Sequence, residues 1–200
     1  MSVARIGLFG GTFDPPHNAH LALATMAMQS LRLDELLWVP TGEPWQKQTR
    51  RVTPAAQREA MVRLAIEGEP RFVLERCEIE RSGPSYTLDT VRALQAARPE
   101  ARWFLIIGED QYAGLHTWHD WRELLQRVVL AVAARPGPLA RPDAEVLRQP
   151  HRVVPLPMQD VSATDIRRRA AVGEPFHHLV PPQVARYIDQ HALYRAAPGS

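Results

Sequence analysis

Residues 4–20 read ARIGLFGGTFDPPHNAH, and this stretch decides the fold class. A short apolar run ends in Gly10-Gly11, two prolines follow, and apolar residues then recur at helical spacing from Asn18 onward. A strand, a glycine-rich turn and a helix in this order form the usual opening of an open parallel sheet. We therefore predict a first strand at about residues 4–9 and a first helix at about residues 18–31.

The rest of the chain repeats this alternation of short apolar runs and amphipathic segments. Further strands are predicted at about residues 36–39, 71–75, 103–107, 128–133 and 152–156, with the strong run 103–107 in the centre of the sheet. Further helices are predicted from an N-cap at Thr53 with Pro54 at the first helical position to Gly68, and at about residues 88–97, 121–127, 163–172 and 182–191. The expected fold class is α/β: a doubly wound, mainly parallel sheet with helices on both faces and a short helical C-terminal part.

The composition is that of an ordinary globular protein and argues against membrane and secreted classes. The 200 residues are 45% apolar and 23% charged, which fits one globular domain over residues 1–200. The net charge of +2 is too close to balance to indicate a surface for polyanions, and small anionic ligands fit it as well as RNA does; we expect no nucleic-acid partner. The longest apolar runs are far below the roughly 20 residues that cross a bilayer, and no secretory signal is present, so we expect a cytoplasmic protein without membrane contact. The lone Cys77 is expected to be inert packing.

The turn at residues 10–20 is built for an anion. Two glycines allow close backbone approach to a phosphate, and the N-terminus of the following helix offers unpaired N–H donors. His17 and His20 are three residues apart, so both rings can reach one bound group and present two mobile protons to it. Zinc binding by this pair, with Asp14 as a third ligand, is the weaker alternative; Asp14 could equally brace the loop.

A second anion site is predicted near the C-terminus, where residues 161–169 read VSATDIRRR. Ser162 followed by Asp165 is a capping-box pattern, which starts a helix there. Thr164 and Arg167 lie in its first turns, where a hydroxyl, free N–H groups and a guanidinium could clamp a pyrophosphate. The alternative is an ordinary surface helix with a solvated arginine run at residues 167–169.

These motifs resemble those of a known family. GGTFDPPHNAH is similar to the signature of the HxGH-containing nucleotidyltransferases, and VSATDIR to their second signature, usually S-S-T-x-I-R. PSYTLDT at residues 84–90 and GEDQYAGLHTW at residues 108–118 resemble segments typical of bacterial nicotinate-nucleotide adenylyltransferases. Ala19 replaces the usual glycine, Gln46 a common histidine and Ala163 the second serine. The resemblance spans about residues 6–194 and implies a Rossmann-like fold.

The resemblance implies adenylyl transfer from ATP to nicotinate mononucleotide (NaMN), giving nicotinate adenine dinucleotide and pyrophosphate in NAD biosynthesis. The substrate's own phosphate would be the nucleophile, attacking the ATP α-phosphate in line, with residues about 161–195 completing the ATP site. Mg²⁺ would be bound mainly through phosphate and water oxygens, without dedicated protein ligands. The implied catalytic residues are His17, His20, Lys47 and Arg167. The implied ATP contacts are Gly10, Gly11, Thr12, His17, His20, Gly108, Asp110, Ser162, Thr164 and Arg167.

The implied NaMN site takes residues from several segments. Its members are Thr12, Phe13, Lys47, Ser85, Tyr86, Thr87, Trp118 and His119. Trp118 would stack on the pyridinium ring, whereas Trp38, Trp103 and Trp121 are expected to pack in the core. The alternatives are another adenylyltransferase, acting on nicotinamide mononucleotide or phosphopantetheine, and a non-catalytic nucleotide- or RNA-binding module. The sequence leaves the oligomeric state open, with a homodimer as one candidate.

Overall fold

A computed structural model describes residues 3–42, 52–134, 142–156 and 161–195, and within them one six-stranded sheet forms the centre of the fold. All its strands run parallel, in the order β3-β2-β1-β4-β5-β6. The strands are β1 (Arg5–Gly11), β2 (Glu35–Pro40), β3 (Phe72–Leu74), β4 (Arg102–Gly108), β5 (Val129–Ala134) and β6 (His151–Pro155). The predicted doubly wound α/β fold is confirmed, and the run at residues 103–107 lies in the centre as expected.

The strand order indicates where on the sheet a ligand site lies. The order reverses between β1 and β4, which pair with Ile6 opposite Trp103 and Phe9 opposite Ile106. Connections leaving the carboxyl ends of these two strands diverge to opposite faces, which opens a crevice between them. The glycine-rich turn after β1 and the segment after β4 both lie at this edge.

Helices cover both faces of the sheet. They are α1 (Asn18–Ser30), α2 (Ala55–Ile66), α3 (Cys77–Glu80), α4 (Thr87–Ala97), α5 (Glu109–Ala113), α6 (Trp121–Arg127), α7 (Ala144–Leu147), α8 (Ala163–Val172) and α9 (Pro182–Gln190). On one face α1 and α2 pack against a buried cluster that includes Phe9 and Trp38. On the other face α4 and α6 pack against a cluster that includes Leu8 and Leu105. Alternate residues of β1 thus enter opposite cores, as the two-residue period of a strand requires.

The C-terminal helices build a third apolar cluster on α2. Met61 of α2, Ile166 of α8 and Val184 of α9 are fully buried in it. This contact carries the C-terminal part of the chain back toward the turn after β1. Of the described residues, no helix has the length and apolar character needed to span a bilayer.

Some local predictions were wrong. Helix α2 begins at Ala55 with Pro54 as its N-cap, so Thr53 is not the capping residue. The short helices α3, α5 and α7 were not expected, because four or five residues are too few to show helical periodicity. The expected packing of Trp38, Trp103 and Trp121 is confirmed, since all three are buried. Cys77 packs against the core, and burial raises the pKa of its thiol to about 12.

Candidate active site

The two histidines of the first turn lie together at the start of α1. Their rings stack with centroids 3.7 Å apart and planes 20° apart, so they do face one side. The His17 backbone N–H donates to His20 Nδ1 over 3.2 Å. An accepting Nδ1 leaves the single proton of a neutral His20 ring on Nε2. His20 therefore offers an N–H donor at the end of the ring away from its own helix turn.

The charge state of His20 differs from the expectation of two mobile protons. Burial lowers the pKa of the His20 imidazole well below its usual 6.5, and the neighbouring His17 lowers it further. Two stacked imidazoles at this separation cannot both carry a charge at low cost. The sequence showed two titratable rings, whereas the structure makes His20 a neutral hydrogen-bond donor at physiological pH.

The second predicted clamp meets the first. The Ser162 hydroxyl accepts from the Asp165 N–H over 3.2 Å and so caps α8. Arg167 donates to the backbone carbonyl of Asp14, 153 residues away, and to the Thr164 hydroxyl over 2.9 Å. Two turns distant in sequence thus form one surface, as the proposed triphosphate clamp requires.

The three arginines of this helix behave differently. Arg168 and Arg169 pair with the Asp165 carboxylate over 2.9 and 2.6 Å, and Arg168 also pairs with Glu174. Only Arg167 turns its guanidinium to the loop after β1. This difference between Arg167 and its two neighbours argues against the alternative of a uniformly solvated arginine run at residues 167–169.

The larger cavity beside these turns has a volume of about 420 Å³ and is lined by every residue predicted to contact ATP. Those residues are Gly10, Gly11, Thr12, His17, His20, Gly108, Asp110, Ser162, Thr164 and Arg167. Phe13, expected in the NaMN site, lines this cavity instead, and its ring packs edge-on against Phe9 and His20. The expected burial of Phe13 is confirmed, at 2% exposure. Its ring is core, so only its backbone is available to a ligand.

A smaller cavity of about 320 Å³ lies on the other side of the same turn. It brings together six of the residues expected at the NaMN site, which are Thr12, Ser85, Tyr86, Thr87, Trp118 and His119. The Tyr86 and His119 rings lie 4.5 Å apart at its wall. Lys47, the remaining expected contact, lies outside the described residues.

Glu78 also lines the smaller cavity and was missed from the sequence. Its side chain is buried and accepts a hydrogen bond from the Thr90 hydroxyl over 2.8 Å. Burial raises the pKa of the Glu78 carboxyl, although Thr90 and Arg81 act in the opposite direction.

Asp14 serves as a brace for the loop. Its carboxylate accepts from the Tyr194 hydroxyl over 2.8 Å and from the Thr53 N–H over 3.3 Å. Burial and the neighbouring Asp14 raise the pKa of Tyr194, so its hydroxyl keeps its proton. Across the described residues, no group of three or more His, Cys, Asp or Glu side chains could hold a metal ion, and the zinc alternative finds no support there.

Sequence reasoning also missed Arg58. It is 1% exposed, and its guanidinium contacts backbone carbonyls of the loop after β1 and of two other segments. One signal was present: Arg58 lies three and four residues before Met61 and Val62, on the buried stripe of α2. A charged residue on an apolar stripe is unusual and indicates a buried partner.

Comparisons with known proteins identify the family of this chain. The chain matches the cytidylyltransferase-like family model over residues 8–169. It is 54% identical to a protein of Methylibium petroleiphilum named "probable nicotinate-nucleotide adenylyltransferase", over 95% of this chain and 92% of that protein. It is 49% identical to the protein of the same name from Albidiferax ferrireducens, over 96% and 99%.

A solved structure is similar in fold. Plasmodium falciparum nicotinic acid mononucleotide adenylyltransferase, complexed with NaAD, superposes with a TM-score of 0.78 over 96% of this chain and 97% of that one. The two sequences are 16% identical, so this likeness supports the fold alone.

Proposed function

The chain belongs to the nicotinate-nucleotide adenylyltransferases, within the cytidylyltransferase-like family, and from this premise we propose that it adenylylates NaMN. The NaMN phosphate oxygen attacks the α-phosphorus of ATP, a new P–O bond forms, and the bond to the bridging oxygen of the β-phosphate breaks. The products are nicotinate adenine dinucleotide and pyrophosphate.

One observation carries the proposal: the two cavities share Gly10, Gly11 and Thr12. A reaction that joins two nucleotides through their phosphates needs two sites meeting at one phosphate-binding turn. Volumes of about 320 and 420 Å³ also lie in the range of small-molecule sites. ATP occupies the larger cavity and NaMN the smaller one.

On the ATP side the chain supplies donors for developing negative charge. His20 donates its Nε2–H to an oxygen of the α-phosphate as the new bond forms, and the neutral ring keeps its proton while it donates. Arg167 and the N-terminus of α8 hold the leaving pyrophosphate. Fixed donors in a partly closed site stabilise the transition state more than water can, since they need no reorientation.

On the NaMN side, Trp118 stacks on the pyridinium ring, a cation–π contact of about 0.5–2 kcal/mol. Ser85, Tyr86 and Thr87 lie at the N-terminus of α4, where backbone N–H groups and the helix dipole favour the nicotinate carboxylate over a neutral amide. Lys47 adds a positive charge to the reacting phosphates.

We propose Mg²⁺ as the accompanying cation. The larger cavity is lined by imidazole and guanidinium donors, which fit phosphate oxygens, and by the carboxylates of Asp14, Glu109 and Asp110. Among the described residues, these carboxylates form no group of three or more ligands that could hold a cation by themselves. Mg²⁺ would therefore be held by phosphate and water oxygens, where it neutralises charge on the triphosphate.

Pyrophosphate release tests the function. The enzyme is assayed with ATP and Mg²⁺ alone and then with NaMN, nicotinamide mononucleotide or phosphopantetheine, with His20→Ala as the control for contaminating activity. We expect release with NaMN and a preference over the amide of about tenfold or more. A preference of that size for the amide, or for phosphopantetheine, would reassign the substrate.

A binding module without chemistry would show RNA affinity that falls steeply with salt and no pyrophosphate release. The absence of a nucleic-acid partner, the single domain over residues 1–200, the cytoplasmic location and the oligomeric state stay predictions. Light scattering after size-exclusion chromatography tests the last of these.

A further inference from the structure

Arg58 gathers three separate segments around one buried guanidinium. Its Nε donates to the Thr53 carbonyl over 2.9 Å, Nη1 to the Thr12 carbonyl over 3.0 Å and Nη2 to the Gly42 carbonyl over 2.8 Å. Thr12 belongs to the phosphate-binding turn, whereas Gly42 and Thr53 lie on either side of residues 43–51. The rigid fork of a guanidinium suits three acceptors in fixed directions, which a lysine ammonium does not match.

Keeping this charge out of water requires compensation. Burial lowers the pKa of Arg58, and the nearby Asp14 and Tyr194 oppose that effect. A buried cation is retained only when its donors find partners and an opposite charge lies nearby. Arg58 has both, since three of its nitrogen atoms donate to backbone carbonyls and the Asp14 carboxylate lies nearby.

The contact with Thr12 determines where the next N–H points. In a trans peptide unit the C=O and the N–H point in opposite directions. Because the Thr12 carbonyl points to Arg58 in the interior, the Phe13 N–H points away from Arg58. Phe13 has a φ of 48°, in the left-handed region, which is a conformation found in turns whose N–H groups converge on an anion. Phe13 lines the larger cavity, on the side of the two histidines.

We propose that Arg58 is a positioning residue for ATP: it holds the Thr12–Phe13 peptide so that the Phe13 N–H donates to an ATP phosphate. The proposal rests on the proposed function, because it assigns ATP to the larger cavity. Arg58 itself lines neither cavity and acts through the backbone of the turn.

Arg5 provides a matched control at the other end of β1. Its guanidinium also donates to backbone carbonyls, from Nη2 to Leu31 over 2.7 Å and from Nε to Arg32 over 3.0 Å. The same substitution, Arg→Lys, therefore removes the same kind of fork at a point about 20 Å along the strand from the site.

Steady-state kinetics of Arg58→Lys and Arg5→Lys test the role, with each rate divided by the folded fraction from thermal unfolding. We expect Arg58→Lys to lower kcat by roughly 10- to 100-fold while the KM for NaMN changes by less than about threefold. Arg5→Lys should keep the kcat of the unchanged enzyme. Equal kcat values for the two variants would make Arg58 a merely structural residue and overturn the proposal.

A second measurement needs no variant. In the unsubstituted protein, the amide resonance of Phe13 should shift on addition of ATP with Mg²⁺, in the direction of a stronger hydrogen bond. A resonance that does not move at saturating ATP would also overturn the proposal. Failure of the proposed function looks different, since the unsubstituted enzyme would then release no pyrophosphate with NaMN, whatever the Phe13 amide does.

Discussion

Substitutions of His20 can separate the roles of the two nitrogen atoms in its imidazole. Nδ1 accepts from the His17 N–H over 3.2 Å, which leaves Nε2–H as the donor available to ATP. Glutamine places an amide NH₂ near the position of Nε2, and asparagine places its amide near that of Nδ1. We therefore expect His20→Gln to retain part of the donor function and His20→Asn to lose it.

The expected size follows from one lost donor in a preorganised site. Removing a single hydrogen-bond donor to a transition state costs about 10²–10³ in kcat, or about 2.7–4 kcal/mol. His20→Ala and His20→Asn should both reach this loss. His20→Gln should stay at least roughly tenfold faster than His20→Asn, because its donor is present but less well oriented.

The assay is pyrophosphate release at saturating ATP and NaMN, repeated under single-turnover conditions so that product release does not mask the chemical step. Thermal unfolding of each variant controls for the lost packing of the His20 ring against Phe9, Phe13 and His17. If His20→Asn is as fast as His20→Gln, or if His20→Ala turns over normally, the assignment of Nε2–H as the donor is wrong.

Three further outcomes are expected. Arg167→Ala should raise the KM for ATP by roughly 10- to 100-fold, because it removes a charge-assisted hydrogen bond to the phosphates. Arg168→Ala, which changes an exposed residue of the same helix, should leave the KM for ATP unchanged. Equal KM values for the two variants would show that Arg167 does not contact ATP. Gly42→Ala should destabilise the fold by about 1–3 kcal/mol or more, because a Cβ there would lie 2.2 Å from the Glu78 carbonyl oxygen. Gly68→Ala is the control, since a Cβ at Gly68 meets open space. Equal stability of the two variants in denaturant unfolding would contradict this packing. Finally, the lowered pKa of His20 means that the unfolded state binds a proton near pH 6.5 while the folded state does not, so stability is full above that pH and falls below it. Below pH 6.5 the free energy of unfolding of the unsubstituted protein should fall more steeply than that of His20→Gln, by up to about 1.4 kcal/mol per pH unit. Parallel curves of unfolding free energy against pH would show that His20 is not the cause.

Local features of the chain determined much of this protein. Short apolar runs bounded by turn residues located the strands, since a run of five residues such as 103–107 is too short for a helix and fits a strand that is buried on both faces. The three-residue spacing of His17 and His20 placed both rings on one side of α1, and Ser162 before Asp165 located the start of α8. These inferences worked because strands, helix faces and caps depend on residues within a few positions of each other.

Long-range contacts decided the rest. The sequence around Arg58 does not predict that its guanidinium donates to the carbonyls of residues 12, 42 and 53. Likewise, the sequence around Arg167 does not predict its hydrogen bond to the Asp14 carbonyl. The neutral state of His20 likewise depends on desolvation by groups that only folding brings around it. Patterns of neighbouring residues can thus be recognised in the sequence. The burial of a side chain, its charge state and the direction of a backbone N–H are set only when distant segments pack together and exclude water.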